Sequence, residues 1–118
     1  MNTIIVKNIC DTCLTQEDGI KLQNVLKPYF EKQEKVDLDF ESMEKYVTLF
    51  FNYSIGYFIL NYTPELFEKL VSTKNLNVVG TMIYSFSADN AKRIFYENRT
   101  KKTNDKITKI TKDAINNN

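Results

Sequence analysis

Three short runs of strand-forming residues, each followed by a segment of helical period, constrain this chain more than any other feature. Thr3 to Ile9 alternates and carries Ile4, Ile5, Val6 and Ile9, the pattern of a strand. Lys35 to Phe40 is the second run, with Val36, Leu38 and Phe40 on one side and Asp37 and Asp39 on the other. Leu70-Val71-Ser72-Thr73 is the third. The intervening segments carry apolar residues three and four apart. Ile20, Val25, Leu26, Tyr29 and Phe30 predict a helix over 16–32. Val47, Phe50, Phe51, Ile55, Phe58 and Ile59 predict a mostly apolar helix over 46–60. Thr63-Pro64-Glu65 opens a short one, with a cap, then proline at the first helical position, then an acid. Val78, Val79, Met82, Ile83 and Phe86, continued by Ala91, Ile94 and Phe95, predict a long one over 78–97 with an interruption near Ser87. Strand–helix alternation of this kind implies a sheet with its connecting helices packed on it. The expected fold is therefore α/β, with a sheet of three to four strands.

Local signals refine this picture. Thr15 is placed to cap the first helix, with Gln16, Glu17 and Asp18 in its first turn, where negative charge is favoured. Pro28 lies inside that helix and predicts a kink or an early end, because proline removes one backbone bond and crowds the preceding turn. Gly56 costs its helix about 1 kcal/mol relative to alanine, which predicts close packing there. Tyrosines and phenylalanines fall at core spacing.

With 118 residues, 42% of them hydrophobic, the chain has room for one domain and one core. The expected organisation is a domain over 1–98 and a basic, polar tail or short helix over 99–118. That tail holds Arg99, Lys101, Lys102, Lys106, Lys109 and Lys112 against Asp105 and Asp113, and the whole chain has a net charge of +1. No field of one sign covers the molecule, and only two arginines are present, so nucleic-acid binding is disfavoured. No uninterrupted apolar run of membrane length occurs. Residues 1–9 do not form a secretion signal, so the expected location is cytoplasmic.

Catalytic chemistry has little to build on. There is no histidine, the commonest general base, and no glycine-rich phosphate loop. No catalytic residue, metal site or cofactor is assigned. Cys10-Asp11-Thr12-Cys13 follows a strand and precedes a helix, as a thiol oxidoreductase pair would. It lacks the flanking aromatic and proline context of such sites, so two reduced structural cysteines are the favoured reading. Four zinc ligands are not available within one chain.

The residues Glu17-Asp18-Gly19, Val36-Asp37-Leu38-Asp39-Phe40, Phe50-Phe51-Asn52 with Ile55-Gly56, Asn75-Leu76 and Asn90-Ala91-Lys92 occur in the order and spacing of the STAS-like domain family. The chain resembles that family from Thr15 to Asn98. The family is similar in fold to the STAS domains of anti-sigma-factor antagonists, small α/β domains that dock on a kinase-like ATP-binding protein. Phosphorylation of a hydroxyl at the start of their central helix blocks docking. The resemblance therefore implies a non-catalytic protein-interaction module of a bacterial regulatory system. It implies a partner-binding face around Asp39, Thr48 and Asn52, with Thr48 as candidate phosphoacceptor. The family carries Ser-Pro directly before Phe-Phe-Asn. Here Thr48-Leu49 stand in that place, so the hydroxyl is kept and the proline is not, and Val47 replaces the acid that precedes the serine in the antagonists. The alternatives are a structural or self-associating accessory subunit and, behind it, a thiol oxidoreductase using Cys10 and Cys13.

Overall fold

The structure, a computed structural model, describes the backbone of residues 2–116 and the side chains of residues 2–101. Three strands, β1 (Asn2–Ile5), β2 (Val36–Asp39) and β3 (Val71–Lys74), form one parallel sheet in sequence order. The helices are α1 (Gln16–Glu31), α2 (Thr48–Tyr53), α3 (Ile55–Asn61), α4 (Pro64–Leu70) and α5 (Val78–Asn116). The mixed α/β architecture and the strand count match the sequence expectation.

Alternation along the strands sorts the sheet into two unlike faces. Ile4, Val36, Leu38 and Val71 join the helices' apolar side chains in one core. Thr3, Ile5, Asp37, Asp39, Ser72 and Lys74 share the opposite face, and none of them belongs to the core. A parallel sheet is normally covered on both sides. Here five of those six side chains are polar, and three of them bond to one another. Ser72 Oγ donates to Asp37 Oδ1 (2.9 Å), and Lys74 Nζ lies 3.5 Å from Asp37 Oδ2.

The elements depart from the sequence expectation in four places. The first strand is shorter: after Ile5 the chain tightens into a 3-10 turn (Val6–Asn8) that buries Val6. Pro28 neither ends nor shortens α1, which runs on to Glu31. Phe30 is fully buried, stacked on Phe58 at 4.2 Å between ring centroids, and so anchors the last turn despite the missing bond. The single helix expected over 46–60 is two, α2 and α3. They break at Ser54, whose ψ of −83° leaves the helical range and whose hydroxyl donates back to the Phe50 carbonyl (2.9 Å). The last helix passes Ser87 without interruption and continues beyond residue 97 to Asn116; no glycine or proline follows Gly80 to stop it. The side chains of Lys102, Asp105, Lys106, Lys109, Lys112 and Asp113, which carry most of the tail's charge, lie outside the described residues.

Gly56 is not where helices meet most closely. A Cβ built there would stand 3.4 Å from the Phe51 carbonyl, an ordinary contact. At Gly19 it would stand 2.7 Å from the Phe50 carbonyl oxygen and 3.1 Å from Tyr53 Cβ, so α1 and α2 cross backbone to backbone there. Gly19→Ala is therefore expected to destabilise by about 1–3 kcal/mol, the usual cost of overpacking, because a backbone carbonyl cannot swing aside. Gly56→Ala is expected to be neutral or stabilising by up to about 1 kcal/mol. Urea denaturation of the two variants side by side checks the contrast; equal effects would contradict the packing.

Candidate functional site

The start of α2 is held by the two loops beside it. Cys13 and Tyr46 form an isolated parallel bridge, with the Val47 N–H donating to the Cys13 carbonyl (3.1 Å). Tyr46 is buried, stacks on Phe51 and donates its hydroxyl proton to the Met43 carbonyl (2.6 Å). Asn77 caps α5 by accepting from the Gly80 N–H (2.7 Å), and its amide donates to the Glu44 carbonyl (2.9 Å). The segment from Ser42 to Val47 is thereby tied to both the first loop and the last helix. A cleft of about 250 Å³ lies between Asp11–Leu14 and Ser42–Lys45.

Thr48 is the first residue of α2 and is half-buried. Val47 occupies the cap position and supplies no side-chain bond. Asn52 lies one turn further along and is exposed, and its Oδ1 accepts from Ser87 Oγ (2.6 Å). Leu49 and Tyr53 are exposed beside them. Thr48 and Asn52 thus share a side of α2, and Asn52 ties that side to α5.

Asp39 belongs to a different neighbourhood. It lies on the sheet face away from the helices, and its Oδ1 accepts from the Asn75 amide (2.8 Å) and the Glu41 N–H (2.9 Å). Asn75 adopts a left-handed φ of 63°, tolerated by asparagine better than by most residues. These two bonds, with Lys74 and Lys7 adding smaller effects, hold the Asp39 carboxyl below the usual carboxylate range. No hydrogen bond joins Asp39 to Thr48 or Asn52 among the described residues. Two motif segments far apart in sequence, the second strand and Asn75-Leu76, meet in this clamp at the carboxyl edge of the sheet.

Asp18, like Asp39, is a buried carboxylate. Burial alone would raise its pKa. The Thr12 hydroxyl (2.9 Å) and Thr12 N–H (3.1 Å), both donating to Oδ2, with Thr15 and Lys21, reverse the sign and leave it lowered. A carboxylate with a depressed folded pKa contributes stability above its unfolded pKa and loses it as pH falls through the folded one. Stability is therefore expected to drop below about pH 4, the unfolded aspartate value. Asp18→Asn should cost about 1–3 kcal/mol at neutral pH and flatten that acid limb. Thermal melts from pH 2 to 7 check both; an unchanged acid limb would remove Asp18 from the account.

Cys10 and Cys13 are buried free thiols. Burial first, then nearby negative charge, pushes each pKa up to about 12. At neutral pH almost no thiolate is present to act as a nucleophile. No group of three or more metal-ligating side chains occurs among the described residues. Among them too, no helix is long and apolar enough to cross a membrane.

The sequence pattern misplaced one surface. Val78, Val79, Met82 and Phe86 have helical spacing, and aromatic residues were expected in the core. Yet Val78, Met82 and Phe86 are 78%, 67% and 65% exposed. The side of α5 that packs inward carries Gly80, Ser87, Ala88 and Ala91 instead, all buried. A Cβ on Gly80 would come within 2.6 Å of the Tyr46 ring. The legible signal was this row of small residues, which marks close helix approach better than the bulky ones do.

The family model of a STAS-like domain of unknown function matches residues 18–81, more than half of the chain, and the chain belongs to that family. Comparison with curated proteins and with solved structures returned no match. The matched stretch begins at the buried Asp18 and ends in the first turn of α5. It therefore spans the Gly19 crossing, the Asp39–Asn75 clamp and the whole of α2.

Proposed function

We propose that this chain is a non-catalytic interaction module of a bacterial, cytoplasmic regulatory system, and that it docks on a kinase-like ATP-binding protein through the side of α2 that carries Thr48 and Asn52. The observation that carries this reading is the exposure of large apolar side chains on the two helices that Asn52 joins. Leu49 lies on α2, and Val79, Met82 and Phe86 lie on α5, the helix to which Asn52 is bonded. Clusters of exposed bulky apolar residues mark protein contact surfaces. Asp39 enters through Asn75, by holding the turn that launches α5. Thr48 sits at the rim, and a phosphate there would bring about −1.5 to −2 charges to an apolar contact. Its hydroxyl is the candidate phosphoacceptor.

The test is capture of a purified kinase-like ATP-binding protein encoded beside this chain. Wild type is expected to bind it. Thr48→Glu and Phe86→Glu are each expected to weaken binding at least tenfold while leaving the circular dichroism spectrum unchanged. Failure of wild type to bind, or binding indifferent to both variants, would sink the reading. The exposed α5 stripe also suits self-association, the second reading. A dimer by light scattering that Phe86→Glu dissolves would favour it.

A further inference from the structure

We propose that the free edge of β3, together with the neighbouring wall of α5, takes up an extended peptide segment of another protein as an added strand, with a basic side chain of that segment facing Asp89. This surface adjoins the α5 stripe of the proposed docking face, but it is built on the β3 edge and the inference does not depend on that reading.

β3 is the last strand of the sheet, and among the described residues no strand pairs with its far side. The Phe40 N–H donates to the Lys74 carbonyl (3.0 Å), so Lys74 turns its main-chain groups toward β2. Alternation along a strand then turns those of Val71 and Thr73 outward. The Val71 N–H is used by the Phe67 carbonyl at the end of α4. Among the described residues the Val71 carbonyl and both main-chain groups of Thr73 remain, aimed at the open side. An incoming strand could satisfy all three.

The space beside them has the right shape. A cleft of about 340 Å³ is lined by Val71, Ser72 and Thr73 in succession. Successive strand residues point to opposite faces, so a cleft touching all three runs along the edge and not over one face. Its other wall is α5, through Tyr84, Ser85, Ala88 and Asp89. A sheet edge walled by a helix is the arrangement in which main-chain bonds give affinity and alternate side chains drop into the groove.

Charge selects the occupant. Glu68 on the cleft wall is paired with Lys92. Asp89 is exposed and forms no ion pair among the described residues, so the cleft holds one negative charge in excess. A second copy of this chain on the same edge would bring a second excess negative charge to the first. A lone extended segment with lysine or arginine meets no such repulsion.

The experiment screens the full chain against displayed random twelve-residue linear peptides. The selected peptides are then synthesised and measured by fluorescence anisotropy and amide NMR. Selected sequences are expected to alternate apolar residues around a lysine or arginine and to shift the Thr73 and Ser85 amides. Ser85→Trp, which fills the cleft from an exposed position, is expected to weaken binding at least tenfold. Thr73→Pro, which deletes the outward N–H, should do the same, and Asp89→Lys should weaken basic peptides severalfold. If Thr73→Pro fails to fold, Ser85→Trp decides. Recovery of no peptides, or of peptides whose binding Ser85→Trp leaves intact, overturns the proposal. So does Thr73 amide protection that rises with protein concentration in the absence of peptide, which marks a second copy on the edge.

Discussion

Replacing Phe30 by alanine is expected to cost about 3–5 kcal/mol, the range for truncating a fully buried aromatic side chain. Phe30 stacks on Phe58 at 4.2 Å and lies 5.2 Å from the Tyr62 ring and 6.4 Å from that of Phe67. It therefore joins the end of α1 to α3 and α4. It also holds the turn that Pro28 weakens, so the cavity and the loosened helix end act in the same direction. A domain of this size has about 5–15 kcal/mol in total, so the variant should melt more than about 10 °C lower or fail to fold. Phe86→Ala is the matched control. The same chemical truncation at a 65% exposed site should change stability by no more than about 0.5 kcal/mol. Similar losses for both would mean that the burial assignments of α1 and α5 are wrong.

The second large effect is alkaline lability. Cys10 and Cys13 rise from an ordinary 9.0 to about 12, mainly through burial. Tyr46 rises from 10.0 to about 12, and Tyr84 is raised by burial as well. Above pH 9 the unfolded chain releases these protons while the folded chain keeps them. The unfolded state then binds fewer protons, so stability falls as pH increases. The stability contributed by keeping these groups neutral is intact below pH 9 and is lost progressively toward pH 12. Each thiol adds a slope of up to about 1.4 kcal/mol per pH unit, and the two together reach about 2–3 kcal/mol per unit before the tyrosines contribute. Chemical denaturation between pH 8 and 11 should show this decline. The Cys10→Ala, Cys13→Ala double variant should begin at lower stability and decline less steeply. A wild-type curve flat to pH 11 would contradict the burial of both thiols.

These two effects bear on the proposed function from opposite sides. The aromatic core and the two thiols are buried, and on the polar sheet face Asp37 and Asp39 accept hydrogen bonds from Ser72 and Asn75. The exposed side of α2, the α5 stripe and the β3 edge are the surfaces on which the two proposals place a partner. Of the site residues expected from the sequence, Thr48 and Asn52 lie one turn apart on α2. Asp39 is drawn instead into a clamp with Asn75, formed only when β2 and β3 lie side by side.

Local order was legible in the sequence wherever it depends on near neighbours. Thr15 and Thr63 cap their helices as expected, each accepting from a backbone N–H three residues on (3.1 and 3.0 Å). Val36, Leu38 and Phe40 go to the core, because a two-residue period leaves a strand no other choice. Tertiary structure alone decided the break at Ser54, the backbone crossing at Gly19, the Asp39–Asn75 clamp and the outward turn of Met82 and Phe86. Each depends on which elements meet at long range. A helical period states that a helix has two sides; the shape of the neighbouring helices then chose the small residues of α5 to face inward.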